Sequence, residues 1–128
     1  MKVSYAAIAV KDLAESVRFY TEVLGLREVR RFQPRPGMTI AFLRGEGEGM
    51  IELVEGLDAR EWPIDSGSAL LLIGLEVRDM DGAARDLAAR GVGFTRGPIA
   101  AEGGTKIAFL KDPNGVELEL IQSGALEP

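Results

Sequence analysis

The sequence predicts an α+β fold of two tandem βαβββ modules, whose curved mixed sheets surround a cavity. Three observations lead there. The chain repeats itself at a constant offset: Ile40-Ala41-Phe42-Leu43 returns as Ile107-Ala108-Phe109-Leu110, and Glu52-Leu53 returns as Glu119-Leu120, 67 positions on each time. The same offset maps Val10 onto Val77, Asp12 onto Asp79, Arg18 onto Arg85 and Gly37 onto Gly104, without a gap. Such a register marks a duplicated supersecondary unit. Each copy also runs through the same order of patterns, an apolar strand, a capped helix and three further strands. Finally, 128 residues are one domain's worth of chain, enough to bury roughly two-thirds of the unfolded surface. The expected division is a single domain with module 1 at about 1–55, a linker at 56–67 and module 2 at about 68–122.

In the first module, Val3–Val10 is small, apolar and β-branched, as a strand requires. Asp12 is placed to cap a helix, with Glu15 three residues on as its capping-box partner. Leu13, Val17, Tyr20 and Leu24 fall at i, i+4, i+7 and i+11, one apolar helical stripe. Gly25 stops the helix as a C′ glycine does. Strands are expected at Arg27–Phe32, Met38–Arg44 and Met50–Glu55. Pro34, Pro36 and Gly37 break the first gap, and Gly45-Glu46-Gly47-Glu48-Gly49 fills the second. In the second module, Ala69–Val77 is a strand and Asp79 a cap. Met80, Ala83, Ala84 and Leu87 form the helical stripe, and Gly91 ends it. Strands follow at Val92–Thr95, Lys106–Lys111 and Val116–Ile121. Asp112-Pro113-Asn114-Gly115 is a turn before the last strand, because Asn-Gly accepts the positive φ of tight hairpins.

Composition narrows the function classes. Hydrophobic residues are 46% and charged residues 27% of the chain, the mix of a soluble globular protein. There is no cysteine, hence no disulfide and no thiolate chemistry. There is no histidine either, which removes the commonest general base and transition-metal ligand. A net charge of −5 argues against a nucleic-acid partner. No apolar run is long enough for a bilayer, and the N-terminus lacks a signal-peptide pattern. The expectation is a cytoplasmic protein with neither membrane nor nucleic acid as partner.

Strand alternation then sorts side chains onto two faces. Ile51 and Leu53 suit the helix-packed face, so Met50, Glu52 and Val54 point away from it. Leu118 and Leu120 pack on the second helix, so Glu117, Glu119 and Ile121 point away. By the same alternation Tyr5, Ala7 and Ala9 share a face with Glu52, and Leu72 and Gly74 share one with Glu119. Two such sheets related by a pseudo-twofold would enclose a cavity lined by Tyr5, Glu52, Leu72 and Glu119.

Read together, Ala9-Val10-Lys11-Asp12-Leu13, Phe19-Tyr20 followed by Leu24-Gly25-Leu26, Ile51-Glu52-Leu53, Leu75-Glu76-Val77 and Asp112-Pro113-Asn114-Gly115 before Leu118-Glu119-Leu120 resemble the vicinal oxygen chelate superfamily. This is the glyoxalase/bleomycin-resistance/dioxygenase group. The resemblance covers almost the whole chain. It implies paired βαβββ modules, a cavity and a homodimer. It also implies four metal-ligand positions, which in glyoxalase I-type enzymes carry His or Gln, Glu, His and Glu. Here they are Tyr5, Glu52, Leu72 and Glu119. Leu72 has no donor atom, and Tyr5 would have to lose a proton with a pKa of about 10. Two carboxylates are a poor cage for Zn or Ni, which prefer nitrogen or sulfur. A hard divalent ion such as Mg or Ca would be held only weakly, with several waters. No cofactor is therefore expected.

Each candidate residue has a plain alternative. Glu52 and Glu119 as catalytic or binding carboxylates compete with solvated strand residues; their symmetry and apolar flanks favour the former. Two facing carboxylates without a cation would keep one proton between them. Tyr5, Met50 and Leu72 read as ligand-contacting walls, and Trp62 as a lid or as a pin for the linker. Arg30, Arg31 and Arg35 form a basic cluster, either a solvated loop rim or a greeting for an anion. The Gly45–Gly49 run is too short and too acidic for phosphate. Three functions stay open. One is metal-free binding or sequestration of a small molecule. Another is a glyoxalase-type isomerase or lyase using Glu52 and Glu119 for acid–base chemistry. The third is a structural or regulatory dimer with a vestigial cavity.

Overall fold

A computed structural model describes residues 3–58, 72–100 and 102–122. The chain divides into two compact units, Met1–Gly67 and Ser68–Pro128. In the first, β1 (Tyr5–Val10) leads into α1 (Leu13–Arg18), which ends in a π-helical turn at Phe19–Val23. Then come β2 (Arg27–Arg35), β3 (Met38–Arg44) and β4 (Met50–Glu55). The second unit repeats the order with β5 (Ile73–Val77), α2 (Met80–Ala89), β6 (Arg96–Ala100), β7 (Lys106–Lys111) and β8 (Glu117–Gln122). The sheets run β1-β4-β3-β2 and β5-β8-β7-β6, each with one parallel pair and two antiparallel ones. The expected α+β fold of two βαβββ modules is therefore the fold observed.

The duplication persists in hydrogen bonding. Asp12 and Asp79 both have extended backbones, and their carboxylates accept from the N–H of Glu15 and Gly82 at 3.2 Å each. A second acceptor arrives from the end of the neighbouring strand. Glu55 Oε2 takes the Leu13 N–H at 2.7 Å, and Gln122 Oε1 takes the Met80 N–H at 2.6 Å. These two residues are again 67 apart. Each helix start thus has two of its orphan N–H groups satisfied, and each is tied to the last strand of its own unit.

The core follows the alternation. Ile8, Val10, Leu13, Tyr20, Leu43, Ile51 and Leu53 are buried in unit 1; Met80, Leu87, Leu110, Leu118 and Leu120 are buried in unit 2. Burial of aliphatic side chains at this scale is worth about 1.5–3 kcal/mol each.

Four local expectations need correcting. The α1 stripe of Leu13, Val17, Tyr20 and Leu24 is only partly buried. The structure buries Leu13, Ser16 and Tyr20 and leaves Val17 and Leu24 half-buried. A π turn then shifts Leu24 relative to the regular stripe, since Leu24 N bonds Phe19 O at 3.1 Å and one extra residue enters the turn. β1 starts at Tyr5, not Val3, and of Ala69–Val77 only Leu72–Val77 lies within the described residues, with strand from Ile73. β2 does not stop at Phe32 but runs through Pro34 to Arg35. It is an edge strand with a register shift between Phe32 and Arg35, where a missing N–H is tolerated. The strand expected at Val92–Thr95 lies instead at Arg96–Ala100. Val92 N is used by the helix stop, bonding Leu87 O at 2.9 Å. Gly97 and Pro98 lie at a register irregularity in the edge strand β6.

Candidate functional site

In each sheet one face packs on its helix and the other carries the candidate residues. In unit 1 the strand register sets Ala7, Glu52, Phe42 and Arg30 in one cross-sheet row, side by side on the face away from α1. The next row holds Tyr5, Met50 and Arg44. In unit 2 the row matching the first is Gly74, Glu119, Phe109 and Arg96. Both units therefore offer a small residue, a glutamate, a phenylalanine and an arginine in that order.

In unit 1 the aromatic rings touch. Tyr5 meets Phe42 edge-on with centroids 5.2 Å apart, and Phe42 stacks beside Phe32 at 6.3 Å. The Arg30 guanidinium lies 4.3 Å over the Phe32 ring, a cation–π arrangement. In unit 2, Arg96 lies 5.3 Å from the Phe109 ring centroid. Beside the unit 1 ladder is a groove of about 370 Å³, walled by Tyr5, Val29, Arg30, Phe42, Arg44 and Met50. A register shift between Glu28 and Arg30 brings Val29 and Arg30 to the same groove, as a bulge does when two residues oppose one.

Glu52 is half-buried in its row, and that burial pushes its carboxyl above the usual glutamate range. A raised value is what a proton-handling carboxylate needs near neutral pH. Glu119 is half-buried on the corresponding row of unit 2. Tyr5 is 49% exposed, so it is a rim aromatic and not a closed wall. Met50 lines the groove, and Leu72 is half-buried just before β5. Trp62 lies outside the described residues, as does most of the linker. The arginine cluster is strand, not loop: Arg31 forks onto Glu28 with its Nε 2.6 Å and its Nη2 2.9 Å from the two carboxylate oxygens. The Glu28 pair raises the pKa of Arg31 further. Of the three, only Arg30 reaches the groove.

The donor set does not fit Zn or Ni. Among the described residues no three histidine, cysteine, aspartate or glutamate side chains come together, and the whole chain has no histidine or cysteine. The Tyr5 ring is engaged by Phe42. No helix among the described residues is long and apolar enough to cross a membrane.

Sequence reasoning passed over Phe32, Phe42 and Arg44. Alternation in Met38–Arg44 already placed Ile40, Phe42 and Arg44 on one face; pairing Phe42 with Glu52 across the β3–β4 hairpin would have found them.

Comparison with known proteins places this geometry. The chain is 34% identical over 132 residues to the lactoylglutathione lyase of Haemophilus influenzae, covering 96% of this chain and 93% of the relative. A member of the Glyoxalase/bleomycin resistance protein/dioxygenase superfamily from Sphaerobacter thermophilus superposes with a TM-score of 0.75 at 29% identity, over 94% of this chain and 96% of that one. Glyoxalase I from Zea mays superposes at 0.79 with 29% identity over 97% of this chain, which spans 45% of the maize chain. The family model for the Glyoxalase/Bleomycin resistance protein/Dioxygenase superfamily matches residues 2–120, and the chain belongs to that superfamily.

Proposed function

We propose that this protein binds a small organic molecule on the sheet faces bearing Glu52 and Glu119, without a tightly held transition metal. The observation that carries the reading is the pair of residues at the nitrogen-ligand positions. Tyr5 is packed edge-on to Phe42, and Leu72 has no donor atom at all. The kept glutamates sit among apolar and aromatic neighbours, which suits a ligand with a polar centre and a hydrophobic body. In this reading the two units form one domain, Glu52 and Glu119 approach the same ligand, and Tyr5, Met50, Leu72 and Trp62 contact it. Two carboxylates also leave room for a weakly held hard divalent ion. The assembly in this reading is a homodimer in the cytoplasm; a monomer by light scattering at micromolar concentration would contradict the dimer.

A second reading, a glyoxalase-type lyase or isomerase, draws on two observations. The similarity to lactoylglutathione lyases extends over nearly the whole chain. The carboxyl of Glu52 is also raised by burial, so it can take a proton from carbon next to a carbonyl and return it.

One experiment separates them. A small-molecule panel is screened by thermal shift against the wild type, Glu52→Gln and Glu119→Gln, beside an assay of lactoylglutathione turnover with Mg, Ni or Zn added. The binding reading expects ligands whose affinity falls tenfold or more in both variants, and no turnover with any ion. Turnover that Glu52→Gln abolishes would install the lyase reading. Ligands held equally by all three proteins would remove the carboxylates from the site.

A further inference from the structure

We infer that the unit 1 groove is a carboxylate-binding subsite for a small monocarboxylate with a flat apolar body, read by the Arg44 guanidinium. The first observation is a buried donor with nothing to donate to. Arg44 Nε is buried and has no hydrogen-bond partner among the described residues. Its Nη2 points only at Met50 Sδ, 3.3 Å away, and a thioether sulfur is a weak acceptor. A buried donor left unpaired costs about 1–3 kcal/mol, more when charged, so the protein keeps an unsatisfied cation here.

The second observation is the duplicate of this position. Arg44 faces Met50 across the β3–β4 hairpin, and Lys111 faces Glu117 across β7–β8. Both pairs are related by the 67-residue offset. Unit 2 thus sets a carboxylate opposite its cation, where unit 1 has a methionine. The unit 1 cation lacks the counter-charge that its own duplicate has, and an incoming anion would supply it.

The walls define the rest of the ligand. Tyr5 and Phe42 offer ring edges and faces, Val29 and Met50 apolar surface, and Arg30 a second cation held over Phe32. At about 370 Å³ the groove is near the small end of ligand pockets, which run roughly 300–1,000 Å³. A planar carboxylate matches the guanidinium fork in two parallel hydrogen bonds, which a lysine cannot make. The subsite lies within one unit, so it stands whether or not Glu52 and Glu119 share a ligand.

The test uses the full chain with 1-naphthoate and its neutral analogue 1-naphthamide, followed by NMR of the arginine Nε–H groups. Naphthoate should bind at least tenfold tighter than the amide and move the Arg44 Nε–H signal downfield. Arg44→Lys keeps the charge but loses the fork, and should weaken naphthoate at least tenfold. Met50→Glu gives unit 1 the counter-charge of unit 2 and should abolish naphthoate binding, while Lys111→Gln leaves it unchanged. Equal binding of acid and amide, an unmoved Arg44 signal, or undiminished binding by Arg44→Lys would each overturn the subsite. Should a variant fail to fold, the wild-type acid–amide comparison and the Arg44 signal decide alone.

Discussion

Unit 1 and unit 2 share strand order, register, helix caps and the row of small residue, glutamate, phenylalanine and arginine. They differ in what surrounds that row. Unit 1 adds Tyr5, Phe32, Arg44 and Met50, giving an aromatic ladder and a groove beside an unpartnered cation. Unit 2 has Leu72, Ile99, Lys111 and Glu117 at the comparable places of its sheet. Duplication has kept the skeleton and the carboxylates and let the surrounding chemistry diverge, which is how one sheet face can specialise while the other holds the frame.

The largest expected difference between the units is at glycine. Gly56 has φ +83, and a Cβ there would run into the carbonyl of Gly37 and lie 3.2 Å from the Met38 Cα. Backbone cannot give way as a flexible side chain can. Gly56→Ala should therefore destabilise by about 2–4 kcal/mol, from the left-handed conformation and the overlap together. Gly74, the partner of Glu119, has ordinary φ, and an added Cβ would meet only Ile121 Cδ1 at 3.6 Å. Its duplicate is already an alanine, Ala7. Gly74→Ala should be neutral or stabilise by up to about 1 kcal/mol. Urea unfolding of both variants checks the pair; a tolerated Gly56→Ala would show that the Gly37–Gly56 approach is not a real constraint.

What the sequence disclosed follows from where the signal is local. The offset of 67, the caps Asp12 and Asp79, and strands β3, β4 and β7 could be read because periodicity and caps are short-range. Gly25 and Gly91 do take positive φ, 82° and 81°. The edge strands β2 and β6 were misread because Pro34 and Gly97-Pro98 are turn residues by composition and are tolerated only by lying on a sheet edge, a tertiary fact. The π turn after α1 was invisible because Leu13, Val17, Tyr20 and Leu24 satisfy a regular helical stripe. At the site, alternation alone put Tyr5 and Glu52 on one face; the neighbours Phe42 and Arg44 needed the hairpin register.

The helix anchors give a smaller contrast. Glu55 and Gln122 make the same bond from duplicated positions, but only Glu55 brings a negative charge to a helix N-terminus. Glu55→Ala and Gln122→Ala should each cost about 0.5–2 kcal/mol, as lost caps do, with the Glu55 change the larger because it also removes a favourable dipole interaction. Thermal unfolding in low and high salt checks this, since only the Glu55 effect should shrink with salt. Equal, salt-independent losses would mean that the charge contributes nothing.

The smallest effect is a pH dependence. Burial raises the folded-state pKa of Glu52 above its unfolded value, so between those two values the folded protein binds more protons than the unfolded one. Stability from this residue is full below the ordinary glutamate pKa and is lost as pH rises through the raised folded value. Glu52→Gln should therefore gain stability relative to the wild type across that window and hold the gain above it. A wild-type-to-variant difference that is flat with pH would show that Glu52 is not held in a desolvating row.

In the proposed reading Glu52 and Glu119 serve a ligand in a chain that has no histidine or cysteine to fix a transition metal. Calorimetric titration of the purified protein with Zn and Ni, with metal content measured after dialysis, tests it most directly. The wild type should retain no stoichiometric ion, and a new site should appear when nitrogen donors are supplied by Tyr5→His together with Leu72→His. Stoichiometric Zn or Ni retained by the wild type and lost in Glu52→Gln would contradict it.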